Sequence, residues 1–160
     1  MKVGDLCDRK PVIVSAAAPA CDAARLMCEE QVGAVVVTAH PADGAVTIGM
    51  LTDRDIVCAQ LDRAADLGQL RIGDIMSGDP LVLNEDLPVE EAIRRLRNRH
   101  VRRAPVISSS GELVGLISFD DLLAQVSANL RALAHLAEVR SRPPRHERRG
   151  RDGAQPGEAE

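Results

Sequence analysis

The chain has 160 residues, a length that fits one domain or two very small ones and excludes a large multidomain enzyme. Hydrophobic residues make up 45% and charged residues 28%, a globular balance, but a single Phe and no Trp or Tyr leave the core to aliphatic side chains and all but exclude aromatic stacking on nucleic acid bases. A net charge of -4, from 20 basic and 24 acidic residues, speaks against a polyanion binder acting through its bulk field.

The opening residues, MKVGDLCDRK, form no apolar signal region, and no apolar run approaches the ~18 residues of a membrane span, so the cytoplasm is the expected compartment. Val3-Gly4-Asp5-Leu6-Cys7 reappears as Ile72-Gly73-Asp74-Ile75-Met76, an offset of 69 that also pairs Pro11 with Pro80 and Pro19 with Pro88. The chain is therefore an internal repeat. After Pro19, apolar residues at helical spacing (Ala20, Ala23, Ala24, Met27) predict an amphipathic helix, and Val89, Ala92, Ile93 and Leu96 predict its counterpart after Pro88. Both prolines suit a first helical turn, where a missing N–H costs nothing. Strand-like runs follow, Ala34 to Val37 and Ala104 to Ile107, then turns rich in Gly, Asp, Ser and Pro. A longer hairpin loop in the first half shifts the register by three residues. Second strands, Ala45 to Leu51 and Leu113 to Ile117, lead into two further helices opened by Thr52-Asp53-Arg54-Asp55 and Ser118-Phe119-Asp120-Asp121.

Each half thus reads β, α, β, β, α, a mixed α/β (α+β) fold with domains at residues 1–66 and 70–128. Halves of this size bury only ~60% of the surface exposed on unfolding, so they are expected to pack on each other. Past Asp121 the helical pattern runs on through Leu122, Leu123, Val126, Leu130, Leu133 and Leu136. The 3-4-3-4 spacing of Leu123, Val126, Leu130, Leu133 and Ala137 suits either pairing across a dimer or packing back onto the same chain. Residues 129–160 then comprise this helical extension and a tail that, from Ser141, contains no Val, Ile, Leu, Met or Phe and is expected to be disordered.

The recurring chemistry is Gly49-Met50-Leu51-Thr52-x-x-Asp55 and Gly115-Leu116-Ile117-Ser118-x-x-Asp121. Unpaired amides at a helix N-terminus attract phosphate, and the Thr52 and Ser118 hydroxyls are placed to add a hydrogen bond. The Asp55 and Asp121 carboxylates are placed to accept from two ribose hydroxyls, while the glycines let a ligand approach the strand. One such match by itself reads more readily as a helix cap satisfying its own amides. Two matches at corresponding places in a repeat favour a nucleotide pocket, and capping can coexist with it.

Together, VGDLC, IGDIM, VRRAPVI, GMLTDRD and GLISFDD stand in the order of a tandem CBS-domain pair, or Bateman module, which residues 1 to 126 resemble closely. The resemblance is to stand-alone bacterial proteins of this type. It implies two repeats packed about a pseudo-twofold axis, with two clefts that in this family bind AMP, ADP, ATP, S-adenosylmethionine or related ligands, and sensing without catalysis or a required cofactor. Carried over by position, Asp55 and Asp121 would hold ribose hydroxyls, Thr52 and Ser118 would contact phosphate or the ribose edge, and Arg102 and Arg103 would reach ligand phosphates. Gly33 and Ala34 occupy the corresponding places of the first repeat, so the two clefts are expected to differ in phosphate affinity, with Arg54 compensating in part. Ile13 and Val82 stand where relatives often have Thr or Ser beside the adenine, which leaves backbone and apolar contacts to read the base. A homodimer and a separate regulated protein complete the expectation.

Other signals carry less. The cluster Arg94, Arg95, Arg97 and Arg99 reads as a solvated helix face, since Glu90 and Glu91 precede Arg94 and Arg95 by four residues each. Cys7, Cys21, Cys28 and Cys58 read as small core residues, and neither they nor the four histidines show metal-ligand spacing. No nucleophile, base and orienting group recur together, so an enzyme is not expected. A second reading is a ligand-independent interaction protein in which both motifs are only caps and the Arg-rich tail binds RNA or an acidic partner.

Overall fold

A computed structural model describes residues 1–39, 46–63 and 66–140, the side chains of 63 and 137–140 excepted. The expected tail from Ser141 and the hairpin loop between Ala39 and Val46 lie outside the described residues. Met1–Gln125 form one compact unit and residues from Val126 belong to a second.

In the first half, β1 (Ile13–Ser15) leads through α1 (Ala20–Glu29) to β2 (Ala34–Thr38), β3 (Thr47–Thr52) and α2 (Asp53–Arg63). A short helix α3 (Ile72–Ile75) and a two-residue strand β4 (Ser77–Gly78) connect to the second half: β5 (Leu83–Asn84), α4 (Val89–Asn98), β6 (Arg103–Ile107), β7 (Leu113–Ser118) and α5 (Phe119–Arg140). One sheet has the order β1-β2-β3-β4, the other β5-β6-β7. In both, a parallel pair joined by a helix is followed by an antiparallel hairpin, and both hairpins carry a register shift, between Val37 and Thr38 and between Val106 and Ile107. The two irregularities obey the offset of 69, as does the start of the strands: β6 begins at Arg103, the counterpart of Ala34, rather than at Ala104.

Pro19 and Pro88 stand one residue before α1 and α4 instead of inside them, with φ -66 and -59 and extended ψ, the backbone that a proline ring already prefers. Both helices end alike. Gln31 and His100 adopt φ of 55 and 53, and the N–H groups of Val32 and Val101 turn back onto the carbonyls of Met27 and Leu96. This left-handed cap satisfies otherwise orphaned carbonyls and turns the chain sharply into the next strand.

Pro105 lies in the middle of its sheet. Its counterpart Val36 donates an N–H to the Val12 carbonyl at 2.9 Å; a proline has none to give to the equivalent Leu81 carbonyl. Accordingly β5 is two residues long where β1 has three.

The cores show how the halves interlock. Val14, Ala23, Met27, Val35, Val37 and Leu51 form one cluster, completed by Ile72 from the segment that introduces the second half. Leu83, Ala92, Leu96, Val106, Ile117 and Leu122 form the other, completed by Val3 and Cys7 from the start of the chain. Val3 and Ile72 are both fully buried, which contributes ~2 kcal/mol each. Backbone bonds fix both crossings: Val3 N–H to Leu87 carbonyl at 2.9 Å and a reciprocal Asp8–Leu116 pair in one, Ile72 N–H to Ala18 carbonyl at 3.0 Å in the other.

The cysteines differ from expectation. Cys7 is buried, but Cys28 and Cys58 are exposed, because α1 turns Ala20, Ala23 and Met27 inward and Cys28 falls on a different face. Burial pushes the Cys7 thiol above its ordinary range. Iodoacetamide is therefore expected to alkylate Cys28 and Cys58 first and to reach Cys7 only on unfolding, a sequence that intact-mass spectrometry follows directly; early loss of the Cys7 thiol would contradict its burial.

On α4, Glu91 takes both arginines, Arg94 at 2.5 Å and Arg95 at 2.9 Å, and the expected Glu90–Arg94 pair does not form. One carboxylate has an oxygen for each, and the hydrogen bond from Arg95 is the main cause of its lowered pKa. The predicted continuation of the last helix is present: α5 extends to Arg140, with Leu130, Leu133 and Leu136 exposed.

Candidate functional site

The opening of each last helix is built identically. Thr52 donates its N–H and its hydroxyl to Asp55 Oδ2, at 2.8 and 2.7 Å, and Asp55 returns its N–H to the Thr52 hydroxyl at 3.2 Å. Ser118 and Asp121 repeat all three bonds at 2.8, 2.5 and 3.3 Å. Both motifs are reciprocal caps, which leave Oδ1 of each aspartate without a hydrogen bond among the described residues.

The motif glycines have a packing requirement of their own. A Cβ on Gly115 would stand 2.6 Å from the Asp8 carbonyl and 2.7 Å from the Cys7 sulfur; one on Gly49 would stand 2.5 Å from the Met76 sulfur and 3.0 Å from the Ser77 carbonyl. Each glycine admits the segment that crosses over from the other half.

Between the repeats lies a cleft of about 660 Å³, within the range of small-molecule sites. Met50, Thr52, Asp53 and Arg54 line it from the first repeat, and Ser77 to Leu81 with Arg99 to Arg103 from the second. Thr52, Arg54, Arg102 and Arg103 are thus brought together. Asp55 is not among the lining residues; it borders a separate indentation of about 240 Å³ with Cys58, Asp62 and Asp74. Ser118 and Asp121 occupy the pseudo-symmetric position, away from this cleft.

Four arginines face two aspartates in the cleft, an arrangement that favours an anion. Three of them are held differently. Arg99 donates to the Asp79 carbonyl at 2.9 Å and to its carboxylate at 3.1 Å. Arg103 reaches into the first repeat, where Nη1 donates to the Gly33 carbonyl at 3.3 Å. A Cβ on Gly33 would lie at ordinary contact distance from the guanidinium nitrogens, 3.5 and 3.6 Å, and 3.3 Å from Asp53 Oδ2, so Arg103 does not itself require the glycine. Arg102 lies over the Phe119 ring, 5.5 Å from its centroid, and 3.8 Å from Asp120 Oδ1. The Leu81 carbonyl, for which Pro105 has no N–H, belongs to a residue that lines the cleft.

Arg99, His100 and Asp79 were not foreseen in the cleft. Arg99 was grouped with a solvated helix face, yet it is the residue after α4, where the left-handed turn at His100 redirects the chain. Its position past the last apolar repeat at Leu96 was the available signal.

Two β-α-β-β-α repeats interlocked around a cleft define a CBS pair, and the chain belongs to the CBS domain family, which it matches over residues 3–62 and 72–128. An uncharacterised protein of Methanopyrus kandleri is 28% identical over 123 residues, 77% of this chain but 61% of that protein's length. The CBS domain-containing protein YhcV of Bacillus subtilis is 30% identical over 118 residues, 74% of this chain and 80% of YhcV. The solved CBS domain pair of protein MJ0100, in complex with 5-methylthioadenosine and S-adenosylmethionine, superposes with a TM-score of 0.68 at 18% identity, over 79% of this chain and 99% of that one. Among the described residues no helix is long and apolar enough to cross a membrane.

Proposed function

We propose that the protein is a non-catalytic regulatory module that binds an adenosine-containing ligand, AMP, ADP, ATP or S-adenosylmethionine, between its repeats and thereby modulates a partner protein, itself acting as a homodimer. The observation that carries this reading is the cleft that joins the capped N-terminus of α2 to Arg102 and Arg103. Cationic side chains suit phosphate, Leu81 and its neighbours suit a base, and the binding of adenosyl compounds by the MJ0100 pair supports the ligand class. Gly33 and Ala34 stand at the positions equivalent to Arg102 and Arg103, which favours a phosphate-bearing ligand in this cleft and weaker phosphate binding in its pseudo-symmetric counterpart.

The test uses the absence of Trp and Tyr from the chain. Freshly purified protein should show a purine band that the chain itself cannot produce, and the compound released on denaturation identifies the ligand. Titration with each of the four candidates, followed by melting, should raise stability by about 2.7 kcal/mol at 100 times the dissociation constant. If none of them shifts the transition and no purine is released, the ligand reading fails.

The reciprocal caps favour one rival, a ligand-independent interaction protein whose motifs only close helices. Under that reading nucleotides have no effect, and removal of residues 141–160 abolishes partner binding.

A further inference from the structure

Among the cleft arginines, Arg102 is the one tied to the start of α5. Its carbonyl accepts the Phe119 N–H at 2.7 Å, so the backbone of β6 is tied to the first residue of α5. Its guanidinium covers the Phe119 ring and approaches Asp120, and all of this side-chain contact is solvent-exposed: Arg102 is 77% and Asp120 69% accessible. Exposed cation–π contacts and ion pairs of this kind are weak. A ligand phosphate offers the same guanidinium charge-assisted hydrogen bonds, which are stronger and geometrically defined. Arg99 and Arg103, by contrast, are already hydrogen-bonded to Asp79 and to Gly33.

We propose that Arg102 is a two-position switch that reads the phosphate of the bound ligand: without phosphate it covers Phe119 and pairs with Asp120, and with phosphate it turns into the cleft and releases both. The proposal rests on the adenosine-ligand reading of the cleft and adds its regulation. Only the side chain moves, because the backbone bond to Phe119 remains. The consequence is local and specific. Phe119, already 47% exposed, loses its cover, and the neighbouring Leu123 on the same helix face is 50% exposed, so phosphate in the cleft enlarges an apolar surface at the head of α5. The two states differ in what they bind, which is what a ligand needs in order to shift the equilibrium between them. Adenosine, which has the base and ribose but no phosphate, leaves the switch where it is.

The chain contains one phenylalanine, so protein labelled with ring-13C phenylalanine gives the resonances of Phe119 alone. ATP, AMP and adenosine are each added to equal occupancy, measured independently by equilibrium dialysis. ATP and AMP should move the ring resonances and adenosine should not. Arg102→Gln without ligand should already show the position that the native protein reaches with ATP, should not move further, and should bind ATP about tenfold more weakly with adenosine affinity unchanged. If ATP occupies the cleft and the ring does not move, or if adenosine moves it equally, the switch is refuted while the ligand reading stands. If dialysis finds neither compound bound, the ligand reading falls and the switch falls with it.

Discussion

Gly115→Ala is expected to unfold at markedly lower denaturant concentration than the native chain, with a loss of about 1–3 kcal/mol from overpacking, towards the upper end of that range. The added methyl meets the Asp8 carbonyl at 2.6 Å, and that carbonyl is not free to retreat: it accepts the Leu116 N–H at 2.9 Å while Asp8 donates to the Leu116 carbonyl at 2.8 Å. Relief requires the crossing segment to lift off the strand, which also disturbs Cys7 and Val3 in the core beneath. Gly49→Ala offers the internal control. Its closest clash is with the Met76 sulfur, the flexible part of a side chain, and the nearest backbone atom is at 3.0 Å, so it should cost clearly less. Equal losses at both sites, measured as denaturation midpoints with unchanged slope, would show that backbone clash is not what separates them.

Asp55 borders a separate indentation and Asp121 lies away from the cleft, so replacing both weakens nucleotide binding at least tenfold only if the ligand reaches past the cleft lining to their carboxylates, and the test needs the right substitution. Alanine removes the acceptor for a backbone N–H and a hydroxyl at the same time, so each Ala variant loses about 1 kcal/mol of cap as well as any ligand contact. Asparagine retains an acceptor oxygen for the cap and gives up the charge that strengthens hydrogen bonds to ribose hydroxyls. The Asp55→Asn, Asp121→Asn double variant should therefore melt close to the native protein, and a tenfold loss of affinity by calorimetry would give the carboxylates the ribose role. Native affinity in a stable double Asn variant would remove the ribose role from both residues and leave them as caps.

The repeat, the order of elements and the cap motifs were legible because each is a local pattern: a spacing of apolar residues, a proline before a helix, a hydroxyl residue three positions before an aspartate. What a pattern cannot carry is the identity of the partner surface. Val3 and Ile72 are visibly equivalent in sequence, yet nothing in either segment says that each completes the core of the opposite half. The purpose of Gly49 and Gly115 was hidden for the same reason, since the atoms that require a bare backbone belong to those crossing segments. In the cleft, Arg102 and Arg103 were marked by the resemblance rather than by any local pattern, whereas Arg99 was obscured by neighbours that do form a solvated face. Asp55 shows the reverse limit. Its motif allows both a cap and a ribose contact; the cap is present, but the turn of α2 that carries Asp55, and hence its place outside the cleft lining, depends on how the helix is set against the sheet.

The crossing of the two opening segments also imposes an order in time. Lys2 meets its partner Asp86 across 84 residues, and Val3 next to it bonds to Leu87. At a synthesis rate of ~5–20 residues per second, the start of the chain waits about 4–17 seconds for its partners at Asp86 and Leu87, and longer for Leu116. The first core closes as soon as Ile72 emerges, so a growing chain is half folded with its own beginning still unplaced. During that interval the Val3–Cys7 segment is unpartnered and fits any completed second half within reach, including one on a neighbouring ribosome. Crowded synthesis should therefore yield exchanged pairs of chains, and dilute refolding should yield chains that close on themselves.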